Sequence, residues 1–80
     1  MIPYVGQTVL VEGIHANGCN VHPAIITRNW APGMAAPVCV NLTVLPDNEL
    51  PITRTSVMVF GSRKDALAGG QGLVAYPVEA

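Results

Sequence analysis

The stretch HPAIITRNWAPGMAAPVCVNLTV, residues 22–44, decides the fold of this chain. Apolar and β-branched residues dominate both of its ends, and a loop of Pro, Gly and Ala joins them. This pattern predicts a hairpin of two strands, 22–30 and 38–45. The second strand has an uninterrupted apolar set at alternate positions, which predicts a core face: Val38, Val40, Leu42 and Val44. Strict alternation in the first strand predicts that one face carries Ala24, Ile26, Arg28 and Trp30.

Three further short strands are predicted around this hairpin, at 7–12, 52–60 and 73–76. Between the first two strands, the Gly and Asn residues of 13–21 predict a loop, with a curled arm or an irregular hairpin connection as the alternatives. Between the last two strands, Ser62 can cap a helix, but the segment is so short that we expect one turn at most.

Five short strands with at most one helical turn predict an all-β fold, a small SH3-like barrel that forms a single domain over residues 1–80. A five-stranded oligonucleotide-binding barrel is the alternative. That fold usually places a longer helix between its third and fourth strands. Here this position holds only the turn sequence PDNELP, residues 46–51, which favours the SH3-like barrel.

Charged residues are sparse: four Lys and Arg stand against five Asp and Glu, while half of the residues are apolar. Four basic residues are too few for a duplex footprint, so we expect no binding of duplex nucleic acid. No apolar run approaches the roughly 18 residues of a membrane span, so we expect no membrane association. A small apolar domain gains core by association, which predicts a homo-oligomer. A surface kept soluble by Thr, Asn, Gly and Pro is the alternative.

The first residues, MIPYVGQ, lack the charged and apolar regions of an export signal, which predicts a cytoplasmic protein. In that reducing compartment we expect Cys19 and Cys39 to be free thiols. Their even number leaves a disulfide open.

Motifs for catalysis and metal binding are weak. His15, Cys19 and His22 do not have the paired spacing of structural zinc sites, and no acid is placed to orient a Cys–His pair. The glycine-rich segment 69–72 lacks the strand, lysine and long helix of a phosphate loop. We therefore expect no enzyme, no metal and no cofactor.

A set of polar residues does not suit the strands that carry it. Arg supplies a planar fork of donors for phosphate, Asn and Thr supply amide and hydroxyl groups, and Trp supplies a ring that can stack on a base. Each also has an ordinary structural role, such as capping, backbone bonding or closing the end of the barrel. Because adjacent strands bring them to one sheet, we predict a ligand site at His22, Arg28, Trp30, Asn41, Arg54, Thr55 and Ser56. The same sheet can instead form an oligomer interface.

Four sequence blocks occur in order at short spacings: HPAII at 22–26, RNW at 28–30, VNLTV at 40–44 and RTSV at 54–57. In these blocks the chain resembles a family of small, mostly uncharacterised phage and prophage proteins, over roughly residues 5–60. Members of that family end in a Trp-rich segment, PGTWHW. This chain has Tyr76 in the corresponding tail, so the resemblance does not extend a stacking role to that region.

The resemblance implies a phage-encoded protein that works in the host cytoplasm and has a compact β fold, and it implies no particular activity. For a phage protein without a catalytic site, we expect a small binding protein that sequesters a small anionic ligand. One such ligand is a nucleotide immune signal, whose capture counters host defence. A virion or assembly accessory protein is one alternative, and an adaptor that binds a host protein is another.

Overall fold

Five strands follow one another around a closed barrel in the computed structural model, which describes residues 1–78. The strands are β1 (Thr8–Ala16), β2 (Cys19–Asn29), β3 (Val38–Val44), β4 (Ile52–Val59) and β5 (Val74–Pro77). Sequential neighbours pair antiparallel up to β4, β5 pairs parallel with β4, and β5 closes the barrel against β1. This sequential strand order confirms the predicted small all-β barrel and differs from the Greek-key order of the oligonucleotide-binding alternative. Glu79 and Ala80, part of the predicted domain, lie outside the described residues.

The barrel interior is built mainly from valine side chains. The predicted core face of β3 is confirmed, because Val38, Val40, Leu42 and Val44 are all buried. They pack against inward-facing residues of the other strands: Val9, Val11, Ala24, Ile26, Val57, Val59 and Ala75. Full burial of a Val or Leu side chain contributes roughly 1.5–3 kcal/mol relative to exposure, so this layer is the main source of stability.

The segment 13–21 forms a hairpin arm, which was one of the predicted alternatives, and not a loop. Strands β1 and β2 continue past the barrel, and the turn of this arm lies at Asn17 and Gly18, both with positive φ (51° and 79°). Asn-Gly is a strong signal for a two-residue hairpin turn, and it lay within the stretch assigned to a loop. Asn17 Nδ2 donates to Asp47 Oδ2 at 3.0 Å, which ties the arm to the β3–β4 turn.

The helix between β4 and β5 is longer than the single turn predicted. Helix α1 (Arg63–Gly69) begins at Ser62, whose side chain accepts a hydrogen bond from the Asp65 N–H at 3.1 Å. Ala66 is fully buried and packs against Val74 and Tyr76. Packing therefore stabilises a helix that would be too short to persist alone. Among residues 1–78, no helix has the length and apolarity to cross a membrane.

Two β-bulges change which residues face outward. The pairing of β2 with β3 shifts between Ile26 and Arg28, so Thr27 is an inserted residue that has no partner on β3. The prediction that Arg28 shares a face with Ala24 and Ile26 is therefore wrong. Ala24 and Ile26 are buried, whereas Arg28 and Trp30 are exposed on the outer face. Simple alternation fails here because one inserted residue reverses the side of every residue after it.

Candidate ligand-binding surface

Asn41 lies at the centre of a polar cluster on the outer face of β2, β3 and β4. Its Oδ1 accepts one hydrogen bond from Trp30 Nε1 at 2.9 Å and another from the backbone N–H of Ser56 at 3.1 Å. Arg28 is the residue directly opposite Asn41 in the β2–β3 pairing. We call Arg28, Trp30, Asn41 and Ser56 the Asn41 cluster.

Both bulges border Asn41 and explain why the cluster forms. On β4 the pairing with β3 skips Thr55 and Ser56, and Ser56 has a positive φ of 56°. A bulge leaves a backbone group without a hydrogen-bond partner on the neighbouring strand. Here that group is the Ser56 N–H, and it donates to the side-chain oxygen of Asn41. On β2 the bulge at Thr27 turns Arg28 and Trp30 outward, onto the same side as Asn41.

Arg28 lies over the ring of Trp30, with its guanidinium carbon 3.8 Å from the ring centroid. This is a close cation–π contact, and it holds the guanidinium flat against the indole. Trp30 remains 51% exposed, so the stacked arginine leaves much of the indole open to solvent. Among residues 1–78, the one ion pair joins Arg63 to Glu12, so no carboxylate neutralises Arg28.

Thr55 and Arg54 lie beside the cluster without joining it. Thr55 is exposed within the β4 bulge, next to Ser56. Arg54 pairs with Leu42, whose side chain faces inward. Arg54 itself is exposed, because β5 pairs with β4 only at Met58 and Val59 and leaves the part of β4 around Arg54 uncovered. Arg54 Nη1 donates to the carbonyl of Thr53 at 3.1 Å, along this uncovered edge of β4.

His22 is separated from the other predicted site residues by burial. It is 2% exposed, and its Nε2 donates to the carbonyl of Ile14 at 2.8 Å. It pairs with Val11 of β1, whereas Arg28 pairs with Asn41 of β3. A buried imidazole that bonds the backbone supports the hairpin arm and does not belong to the exposed cluster.

A second polar group, which the sequence patterns do not single out, lies where β1, α1 and β5 meet. Glu12 Oε1 accepts from Tyr76 Oη at 2.7 Å and from Arg63 Nε at 3.0 Å. Hydrogen bonds from Arg63 and Tyr76 hold the pKa of Glu12 below its ordinary value, and burial raises the pKa of Tyr76. The three residues are far apart in the sequence, so only closure of the barrel brings them together.

Glu12 also borders a cavity of about 190 Å³ between the arm and the helix. Its walls include Gly13 and Gly72, and a Cβ at Gly13 would come within 2.9 Å of the Gly72 carbonyl oxygen. The close approach of the backbone at Gly13 and Gly72 therefore depends on the absence of a side chain at Gly13.

The cysteines and histidines do not form a joint site in the described part of the chain. Cys19 and Cys39 are both free thiols. Within residues 1–78, no group of three or more His, Cys, Asp or Glu side chains is placed to hold a metal ion.

Comparisons with protein-family models, curated proteins and solved structures find no match to this chain. The resemblance to small phage proteins therefore stays a prediction from the sequence blocks. Any function must be inferred from the surface itself.

Proposed function

We propose that this chain is a small binding protein that holds a short anionic ligand with a flat ring, such as a nucleotide, on the Asn41 cluster. The observation that carries the proposal is Arg28, which no carboxylate of residues 1–78 neutralises and which stacks on an exposed Trp30. This pair combines a fixed positive charge with an aromatic surface, which are the two features that phosphate and base require.

Phosphate binding is assigned to Arg28. Stacking on Trp30 restricts the motion of its side chain, so less rotamer entropy is lost when a phosphate oxygen accepts its N–H groups. The acidic residues of the described chain lie on β1, in the β3–β4 turn and on α1, away from the middle of β2, β3 and β4. An anion at the cluster therefore meets no nearby negative charge on these strands.

Base stacking is assigned to the open surface of Trp30. Its Nε1 is held by Asn41 at 2.9 Å, so the indole is positioned before the ligand arrives. Stacking of a base on an aromatic side chain is worth roughly 1–3 kcal/mol, as measured by alanine substitution. A single pre-positioned Trp therefore supplies a substantial part of the affinity for a nucleotide.

The biological role we propose is sequestration of a nucleotide immune signal by a phage-encoded protein in the host cytoplasm. The sequence blocks that resemble phage proteins support this role, since all four lie on β2, β3 and β4, apart from Trp30, which directly follows β2. Such a protein needs no catalytic group, since binding alone lowers the free concentration of the signal. A homo-oligomer would repeat the cluster and increase the number of sites per particle.

Arg28→Ala tests the proposal directly. We expect nucleotides to raise the melting temperature of the unsubstituted protein, since a ligand at 100 times its Kd adds about 2.7 kcal/mol to the stability. Arg28→Ala should weaken nucleotide affinity by about tenfold or more, because a charge-assisted hydrogen bond contributes roughly 1.5–3 kcal/mol. Isothermal titration measures the affinity.

Lys64→Ala is the matched control, since it removes one exposed cation from α1, and it should leave affinity unchanged. Arg54→Ala should have a smaller effect than Arg28→Ala, because the Arg54 guanidinium donates to the Thr53 carbonyl and to no member of the Asn41 cluster. If mono-, di- and cyclic nucleotides all leave the melting temperature unchanged, the proposal is rejected.

A protein-binding role is the second candidate, and exposed apolar residues on the same face favour it. Ile25 is 39% exposed and Met58 is 41% exposed, and both lie on the outer face that carries Trp30. Exposed apolar patches commonly mark protein interfaces. A virion or assembly partner would place the chain in purified particles, and a host partner would co-purify with it in a fixed ratio.

A further inference from the structure

The amide of Asn41 is fixed so that only its donor end is open to a ligand. A carbonyl oxygen has two lone pairs, and those of Oδ1 accept from Trp30 Nε1 and from the Ser56 N–H. Rotation of the amide by half a turn would place its NH₂ group against two other donors. The hydrogen-bond network therefore sets the orientation, and within residues 1–78 Nδ2 has no acceptor.

The charged side chain opposite Asn41 in the β2–β3 pairing also offers only donors. Arg28, opposite Asn41 on β2, has five N–H donors and no acceptor. The hydroxyl groups of Thr55 and Ser56 can donate or accept and therefore do not discriminate between ligand groups. A ligand atom that reaches Asn41 must accordingly be an acceptor if both partners are to be satisfied.

We infer that Asn41 faces the C6 group of a purine or the C4 group of a pyrimidine, and makes the surface selective for nucleotides that carry a carbonyl oxygen at that position. Hypoxanthine and guanine at C6, and uracil at C4, present this oxygen, whereas adenine at C6 and cytosine at C4 present an amino group that donates. An amino group at Asn41 would oppose one donor with another and leave both without a partner. This inference rests on the proposed nucleotide-binding function and adds the residue that sets base preference.

Inosine and adenosine monophosphates test the preference, since they share the phosphate and the sugar. Their bases differ in the C6 group and in the N1 proton that accompanies it. We expect isothermal titration to show that inosine monophosphate binds at least about tenfold more tightly than adenosine monophosphate. This is the scale by which a correct base contact is favoured over an incorrect one. The uridine and cytidine pair should show the same direction of preference.

Asn41→Asp should reverse this preference. An aspartate keeps an oxygen for Trp30 and Ser56 and replaces the free donor with a second acceptor, so it favours the amino base. The added negative charge weakens both nucleotides alike, since their phosphates are identical, and the ratio of the two affinities is therefore the readout. Asn48→Asp adds the same charge in the exposed β3–β4 turn and should keep the preference of the unsubstituted protein.

The outcomes separate the two proposals. Equal binding of the inosine and adenosine nucleotides would overturn the base preference and leave the proposed function standing. An Asn41→Asp protein that folds and still prefers inosine would overturn the role of Asn41. If no nucleotide binds the unsubstituted protein, both proposals fail.

Discussion

His22 and Asn41 are both polar residues on strands, and their surroundings give them opposite roles. The buried imidazole of His22 donates its Nε2–H to the Ile14 carbonyl. Asn41 is partly exposed and uses its oxygen to hold Trp30 and Ser56, and within residues 1–78 its NH₂ group has no acceptor. Residue type alone placed both in the predicted ligand site. Burial separates them, because a group that is covered and already paired has nothing left to offer a ligand.

His22→Leu should lower the free energy of unfolding by about 1–3 kcal/mol, since it leaves the Ile14 carbonyl without its partner in a covered position. Urea denaturation at neutral pH measures the change. His15→Ala, at an exposed position of the arm, is the control and should change stability little. A stability of His22→Leu equal to that of the unsubstituted protein would show that this hydrogen bond is not important to the fold.

At the scale of elements, β1, α1 and β5 are joined by side chains and not only by strand pairing. Glu12 on β1 accepts from Arg63 on α1 and from Tyr76 on β5. The Arg63 side chain is largely exposed, at 56%, so solvent screens its charge, while the tyrosine hydroxyl is the shorter contact at 2.7 Å. This junction anchors the helix to β1 and β5, beside the apolar cluster that Ala66 forms with Val74 and Tyr76.

The junction predicts a dependence of stability on acidic pH. Because the pKa of Glu12 is lowered in the folded protein from its ordinary 4.5, the carboxylate stabilises the fold above that value. This contribution is lost as the pH falls through the lower, folded-state pKa. The urea midpoint should therefore decrease below a pH of about 4.5.

Glu12→Gln should lower the midpoint at neutral pH and flatten its decrease in acid. Glu49→Gln, in the exposed β3–β4 turn, should keep the steeper acid dependence of the unsubstituted protein. Identical acid profiles for Glu12→Gln and the unsubstituted protein would exclude Glu12 as the source.

At the scale of the whole molecule, the barrel is closed but its outer face is unusually apolar for so small a chain. Half of its residues are apolar, and the core holds only part of them. Ile25, Trp30 and Met58 remain substantially exposed on the face of β2, β3 and β4. Association of several copies would cover such residues and place more than one Asn41 cluster in the same particle.

Native mass spectrometry tests this association, and we expect a homo-oligomer. Met58→Glu should shift the population to monomers, because it would place an unpaired charge in the interface. Leu67→Glu is the control, since Leu67 is similarly exposed, at 51%, but lies on α1. A monomeric unsubstituted protein at micromolar concentration would contradict the prediction.

Sequence by itself determined the five strands, the core face of β3 and the position of the helix between β4 and β5. These features depend on local patterns, namely alternation of apolar residues, turn residues and a capping serine. Only the tertiary structure decided the two bulges, and with them the outward direction of Arg28 and Trp30. A bulge follows from how two strands are matched across the barrel, so a pattern within one strand does not reveal it. For the same reason, the sequence predicted Trp30, Asn41 and Ser56 as site residues but not their hydrogen bonds to one another. Those hydrogen bonds depend on how β2, β3 and β4 pair.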